Sequence, residues 1–209
     1  MAPKVTEEYK LETRDRILEA AEVLFSKKGY YDTSMDEIVK QSGLSKGGIY
    51  EYFGSKEDLF LGLKDKLVES SLNELKSTFE PSDTARIKLE KAADIVFTSM
   101  VGASKEACRM SLEFGVLAPR IKSLQRSRDN QLRAVHDFVF KIVKEGVESG
   151  EFRSEIDPDS AACIIVGMVD GLSFDWATTT FDFDWSLLKK QSLELFTRGL
   201  LLSAKPRRG

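Results

Sequence analysis

The sequence predicts an all-α protein in which an N-terminal three-helix unit precedes a larger C-terminal helical bundle. Apolar residues recur at helical spacing along most of the 209 residues. No stretch alternates apolar and polar residues over the length of a strand, and the Asp170-Gly171 pair lies inside a helical pattern. Glycine and proline interrupt the pattern where helices are expected to end. These observations favour helices throughout the chain.

Three helices are predicted in the first 55 residues. Residues 13–28 carry an apolar stripe at helical spacing. Ser34 stands before a second helix at residues 35–42, and Glu37 occupies the position that completes a capping box. A third helix follows Ser45. Helices this short do not fold alone, so we expect the first helix and the one after residue 55 to brace them.

The remaining helices form the predicted bundle. Asp157 followed by proline is a strong start signal for one of them, because it supplies a cap and a proline at the first helical position. The expected helices cover residues 55–79, 83–102, 105–115, a stretch from beyond Ala118-Pro119 to 149, 158–180 and 185–202. We therefore divide the chain into a helix-turn-helix domain at residues 1–55 and a helical domain at residues 56–209.

The composition is that of a soluble globular protein, with 42% hydrophobic and 31% charged residues. No run approaches the roughly 18 uninterrupted apolar residues of a membrane span, and the N-terminus lacks the apolar segment of a signal peptide. We therefore expect a cytoplasmic protein with no membrane partner. Cys108 and Cys163 are expected to be buried and reduced, with a disulfide or a redox switch as the alternative.

The charge pattern gives no general support for binding nucleic acid. The net charge is −3, and the first 56 residues hold nine Lys and Arg against ten Asp and Glu. Affinity for DNA must therefore come from the placement of particular cations.

Motifs for catalysis are missing from the sequence. It contains one histidine, no glycine-rich phosphate loop, no cluster with metal-ligand spacing and no nucleophile motif. We therefore expect no enzyme activity, no catalytic or metal-binding residue and no cofactor.

Residues 33–53 have the layout of a helix-turn-helix, with two short helices on either side of a glycine turn. The second helix of such a motif places its N-terminal residues nearest the bases of DNA. Here that end contains Gly47 and Gly48, each of which costs roughly 1 kcal/mol of helix propensity, so close approach to DNA is a reason for them. Lys46 can reach a guanine edge or a phosphate, and a helix start at Lys56 offers a phosphate site.

Residues 33–59, together with the Ile17-Leu18-Glu19-Ala20-Ala21 segment, resemble the TetR family of transcriptional regulators. The resemblance covers about the first 60 residues, and it implies a repressor whose homodimer binds a palindromic DNA operator and is released by a small-molecule effector. It also implies a set of DNA-contacting residues. They are Thr33, Ser34, Ser45, Lys46, Gly47, Gly48, Tyr50, Tyr52 and Lys56.

Glu51 departs from the family pattern, because many relatives carry an aromatic or polar residue there and a histidine where this chain has Tyr52. A carboxylate near phosphates is unfavourable unless it reads a cytosine amino group, pairs with a lysine or turns to solvent. The alternative for the whole segment is a helical hairpin with no role in DNA binding.

Dimerisation through the last two helices is implied by the resemblance, and these helices carry broad apolar faces with glycines four residues apart. The expected dimerisation residues are Ala161, Ile165, Met168, Gly171, Leu172, Leu195, Phe196 and Gly199. The alternative is that these faces pack only inside one chain.

Methionine and aromatic residues spread over the bundle are candidates for an adaptable apolar cavity, as the resemblance also implies. The expected ligand-binding residues are Phe97, Met100, Arg109, Met110, Glu113, Phe114, Phe138, Ile142, Met168 and Trp176. Each apolar member could equally be ordinary core. We expect a large, mainly hydrophobic effector, with an acyl-CoA or fatty-acid-like compound first and a lipophilic cation second. The alternative function is a helical protein-interaction adaptor that does not bind DNA.

Overall fold

The computed structural model describes residues 6–102, 104–181 and 183–201. Within these ranges the chain forms nine α-helices and one 3-10 turn, and no β-strand. The helices are α1 (Glu7–Lys28), α2 (Met35–Ser42), α3 (Lys46–Tyr50), α4 (Lys56–Ser77), α5 (Ala85–Gly102), α6 (Lys105–Leu117), α7 (Lys122–Glu148), α8 (Pro158–Thr178) and α9 (Trp185–Leu200), and the 3-10 turn is Ala118–Arg120. The predicted all-α fold is confirmed. The predicted end of the last helix, residue 202, lies outside the described residues.

The first helix begins six residues earlier than the sequence predicts. Thr6 caps α1 by accepting a hydrogen bond from the Tyr9 N–H at 3.2 Å. The added turns are exposed, as Tyr9 and Leu11 show, so they carry no buried stripe by which sequence periodicity could find them.

Two compact units make up the chain. The first contains Met1–Glu69 and Lys105–Asp129, and the second contains Ser70–Ser104 and Asn130–Gly209. The helices α4 and α7 therefore begin in the first unit and end in the second. A functional boundary at residues 55–56 stays a prediction.

The first unit packs α1, α2 and α3 around a continuous apolar core to which α4 and α6 contribute. Ile17, Ile38 and Ile49 are fully buried there. The Phe60 ring of α4 meets Phe25 edge-on at 5.0 Å and Phe114 of α6 at 5.6 Å. The sequence predicts bracing by α1 and α4, and the structure adds α6 as a third brace.

The second unit has its own core, formed mainly by α5, α7 and α8. Its buried residues are Ala85, Leu89, Val139, Ile142, Val143, Phe152, Ala162, Val166 and Leu200. Phe152 lies directly against Gly146 of α7, where an added Cβ would come within 2.2 Å of the ring. Only glycine fits at that position, because backbone and aromatic ring are already in contact.

Candidate nucleic-acid interface

Reciprocal capping fixes the start of α2. The Ser34 hydroxyl accepts a hydrogen bond from the Glu37 N–H at 3.3 Å, and the Glu37 carboxylate accepts one from the Ser34 N–H at 2.9 Å. The predicted capping box is therefore present. Hydrogen bonds from Lys28 first, and then from Ser34, lower the pKa of Glu37 to about 2.

The N-terminal end of α3 is open to solvent. Ser45 caps it by accepting a hydrogen bond from the Gly48 N–H at 3.1 Å. A Cβ on Gly47 would meet no atom within 4 Å, so the chain itself does not require glycine there. Lys46 and Tyr50 are exposed on this short helix. A narrow, uncrowded helix end with a cation and a hydroxyl suits entry into a groove of DNA.

Lys46 already has an anionic partner. Its ammonium lies 2.8 Å from the Asp36 carboxylate of α2, and both side chains are exposed, at 62% and 76%. The hydrogen bond to Asp36 raises the pKa of Lys46. Lys46 can therefore reach a phosphate or a guanine only by giving up its exposed ion pair with Asp36.

Lys56 and Thr33 make contacts inside the chain. The Lys56 ammonium donates to the carbonyl oxygens of Tyr30, Tyr31 and Thr33 at 2.8, 3.3 and 2.9 Å, which uses its three protons. Its Nζ also lies 4.5 Å from the centre of the Tyr30 ring. The Thr33 side chain is 1% exposed and donates to the Gly29 carbonyl oxygen at 2.8 Å. These two side chains position the loop before α2, and their contacts with DNA, which the resemblance implies, stay a prediction.

The three aromatic and acidic residues that follow Ile49 differ in exposure. Tyr50 is exposed and Tyr52 is half-buried against the core of the first unit. Glu51 is exposed, and among the residues that the structure describes no cation lies within ion-pair distance of its carboxylate. Of the alternatives for Glu51, this geometry fits solvent exposure and leaves the carboxylate free to face a base.

The expected ligand-binding residues of α6 lie in the first unit. Met110 and Phe114 are buried in its core, and Arg109 is exposed. The Glu113 carboxylate accepts a hydrogen bond from the Tyr30 N–H at 2.9 Å. This contact joins α6 to the loop that Lys56 holds, so α6 is coupled directly to the helix-turn-helix.

The other expected ligand-binding residues lie in the second unit. Phe97, Met100 and Ile142 are buried, and the rest, Phe138, Met168 and Trp176, are half-buried. The Trp176 ring meets Trp185 edge-on at 5.0 Å. A surface depression of about 380 Å³ in this unit is lined by none of them, and its lining residues are Thr78, Glu90, Lys91, Asp94 and Ile95.

Sequence reasoning misses a buried cation in the first unit. Lys64 of α4 is 6% exposed, donates to the Ser111 hydroxyl at 2.9 Å and lies 5.6 Å from the centre of the Phe114 ring. Burial, and next the Arg128 charge, lower the pKa of Lys64 to about 8. The sequence does contain a signal that Lys64 is buried, because Lys64 stands one turn after Phe60 on the apolar stripe of α4.

The exposed face of α8 contains only Gly171 of the residues expected for dimerisation on this helix. Ala161 and Ile165 pack against the core of the second unit, while Met168 and Leu172 are half-buried. The solvent-facing side of this helix instead carries small and apolar residues at helical spacing. They are Cys163, Ile164, Gly167, Gly171 and Phe174.

Exposed apolar residues continue on α9, where Leu187 and Leu195 are 53% and 72% exposed. Gly199 is also exposed, and Phe196 is half-buried. By length and composition alone, α8 is apolar enough to cross a membrane. The two cysteines are free, and the expectation that both are buried is wrong for Cys163, which is exposed on α8.

Both parts of the chain match known families. Residues 17–63 match the family described as bacterial regulatory proteins, tetR family, and residues 85–195 match the C-terminal region of BetI-type transcriptional repressors. The fatty acid metabolism regulator protein of Bacillus subtilis is 26% identical over 185 residues, which cover 88% of this chain and 94% of that protein. The transcriptional regulator AcrR of Shigella flexneri is 29% identical over 197 residues, which cover 92% and 89%.

Solved structures show the same fold. The transcriptional regulator FadR from Bacillus subtilis in complex with stearoyl-CoA superimposes with a TM-score of 0.77 at 25% identity, over 89% of this chain and 98% of that one. A putative transcriptional regulator from Saccharomonospora viridis in complex with choline gives a TM-score of 0.80 at 20% identity, over 92% and 100%.

Proposed function

This chain belongs to the TetR family of bacterial regulatory proteins, and we propose that it is a homodimeric repressor that binds a palindromic operator. The observation that carries the proposal is the open N-terminal end of α3. Gly47 leaves space that no atom of the described residues fills, beside an exposed lysine and an exposed tyrosine. A helix end of this kind can bring its backbone close to the edges of the bases.

The exposed apolar faces of α8 and α9 support dimerisation through these two helices. Two recognition helices are needed to read two half-sites one DNA turn apart. On α8, Gly167 and Gly171 lie four residues apart on the exposed face, where a second helix can approach closely. Insertion of this helix into a membrane is disfavoured, because Asp170 near its middle would cost roughly 2.5–3.5 kcal/mol at the bilayer centre.

The effector that we propose is a large, mainly hydrophobic molecule, with a fatty acyl-CoA as the first candidate. Support comes from the similar regulator of fatty acid metabolism and from the similar FadR structure, which contains stearoyl-CoA. A lipophilic cation is the second candidate. Effector binding must favour the released state by a few kcal/mol to empty the operator.

Binding of the purified protein to its upstream DNA, measured by fluorescence anisotropy at several salt concentrations, tests the first part of the proposal. Each phosphate contact should contribute about −0.9 to the slope of log K against log salt. Lys46→Ala should weaken binding, while Lys141→Ala, which removes an exposed charge from the second unit, should leave it unchanged. A protein-interaction adaptor would show no such binding, and equal effects of both substitutions would remove Lys46 from the interface.

Release of the DNA by ligand tests the second part. Stearoyl-CoA should raise the melting temperature and displace the DNA at the same concentrations, whereas free coenzyme A should do neither, because it lacks the apolar chain. Displacement by a lipophilic cation alone would support the second candidate. No stabilisation by either class would reject both effector proposals and leave DNA binding standing.

A further inference from the structure

A histidine, a carboxylate and a thiol from two helices of the second unit lie together at the start of α8. His136 comes from α7, and Asp159 and Cys163 stand four residues apart on one side of α8. Their ligand atoms all lie within 4.8 Å of one another. From this arrangement we propose that the three residues bind a divalent transition-metal ion, with Zn²⁺ as the ion that suits them best.

The spacing is close to that of a tetrahedral site. Zinc bonds to nitrogen, oxygen and sulfur are about 2.0–2.3 Å long, which places neighbouring ligand atoms about 3.4–3.6 Å apart. The His136 Nε2 lies 3.5 Å from an Asp159 carboxylate oxygen. The Cys163 sulfur lies within 4.8 Å of the other two ligand atoms, and its side chain is exposed within the single chain.

The three ligand atoms, a nitrogen, an oxygen and a sulfur, determine which class of metal ion the site prefers. Thiolate and imidazole ligands favour zinc and similar transition metals, whereas Mg²⁺ and Ca²⁺ prefer oxygen alone. One thiolate and one carboxylate carry two negative charges, which balance a divalent ion next to a neutral imidazole. Three protein ligands leave a fourth position for water or another donor.

The surroundings of His136 hold its ring in a suitable orientation. Its Nδ1 faces the Asp137 carboxylate at 3.7 Å, and its ring stacks on Phe140 with an interplanar angle of 18°. The usual support for a metal-binding histidine is a carboxylate that accepts a hydrogen bond from the second ring nitrogen, and Asp137 would have to move slightly closer to accept one. The side chain is 19% exposed, so an ion can reach it from solvent.

Neighbouring polar groups are committed elsewhere. The Asp157 carboxylate caps α8 by accepting hydrogen bonds from the Ser160 N–H and hydroxyl at 3.0 and 2.6 Å. Asp159, which is one helical turn before Cys163, faces His136 with its carboxylate at 3.5 Å and its carbonyl oxygen at 3.3 Å from Nε2. An ion bound there would link α7 to α8 within one chain.

Cobalt substitution tests the proposal with the untagged, metal-free full chain. Co²⁺ should bind one ion per chain and give a thiolate charge-transfer band and the visible bands of a tetrahedral site. Cys163→Ser should abolish the charge-transfer band, and Cys108→Ser, which removes the other cysteine, should retain it. Asp137→Asn should weaken Zn²⁺ binding roughly tenfold while retaining the spectrum, because it changes only the support of the histidine.

Three results would overturn the proposal. They are the lack of a charge-transfer band in the unmodified chain, its persistence in Cys163→Ser, and a stoichiometry of one ion per two chains, which would place the ligands in different copies. Circular dichroism of each variant confirms that it is folded, and the exposure of Asp159 and Cys163 makes their substitution compatible with folding. Asp159→Asn provides a second ligand variant and should shift the visible bands and weaken Zn²⁺ binding.

Discussion

Replacing Lys64 with methionine should make the protein more stable at neutral pH and should remove a specific pH dependence. Lys64 is buried in the first unit, and burial lowers its pKa to about 8 from an ordinary value of 10.5. Since one pKa unit corresponds to about 1.4 kcal/mol, keeping this ammonium charged in the folded state costs about 3 kcal/mol. Methionine fills a similar volume without that cost, and the exposed Ser111 hydroxyl can turn to water.

The sign of the pH dependence follows from proton counts. Between pH 8 and 10.5 the unfolded chain keeps the Lys64 proton and the folded chain loses it, so the free energy of unfolding rises with pH. From pH 8 to pH 10 this contribution amounts to about 2 kcal/mol. Cys108 acts in the opposite direction, because burial raises the pKa of its thiol. The difference in free energy of unfolding between the unmodified protein and Lys64→Met cancels the part of the Cys108 contribution that both proteins share.

Urea unfolding at pH 7, 8, 9 and 10, at matched protein concentration, measures this difference. The unmodified protein should start less stable than Lys64→Met and should approach the variant as pH rises. Lys76→Met, at an exposed position near the end of α4, serves as the control and should show no such convergence. A difference between unmodified protein and variant that stays constant from pH 7 to 10 would refute the assignment of a buried, destabilising charge.

Three further substitutions test other parts of the structure. Lys56→Met should lower the free energy of unfolding by about 1–3 kcal/mol, because three carbonyl oxygens lose a charged donor, and thermal unfolding should show it. Gly146→Ala should lower the free energy of unfolding by about 1–3 kcal/mol, because the new methyl group overlaps the adjacent Phe152 ring. Gly115→Ala is the control: a Cβ there meets no atom, so the free energy of unfolding should rise by up to about 1 kcal/mol. Equal effects of the two substitutions would contradict the packing argument. Asp36→Ala should strengthen DNA binding in anisotropy measurements, since it frees Lys46 for phosphate, and weaker binding would mean that the carboxylate orients the lysine productively.

Local signals in the sequence predict the helix starts well. The caps at Ser34 and Asp157 are predicted from residue type and position, and each accepts the expected backbone hydrogen bond. Such interactions join residues three positions apart, so the sequence alone contains both partners. The resemblance of residues 33–59 to the TetR family is confirmed by the family matches.

Contacts between distant residues could not be predicted in this way. Lys56 meets carbonyl groups 23 to 26 positions away, and Glu113 meets a backbone N–H 83 positions away. His136 lies near Asp159, 23 positions further along the chain, so the cluster has no recognisable metal-binding spacing. The buried face of α8 is also hard to assign, because apolar residues surround that helix and its periodicity does not distinguish the two sides.

Some helical glycines are required by packing inside the chain, whereas others leave a stretch of backbone open to a binding partner. Gly146 is explained inside the chain, since an aromatic ring occupies the space of its missing side chain. At Gly47, Gly167 and Gly171 a Cβ would meet nothing, yet each position gives up roughly 1 kcal/mol of helix stability relative to alanine. Something outside the chain that approaches the bare backbone would offset that loss. Gly47 lies at the end of α3 that we propose enters DNA, and the other two lie on the face of α8 that we propose meets a second copy.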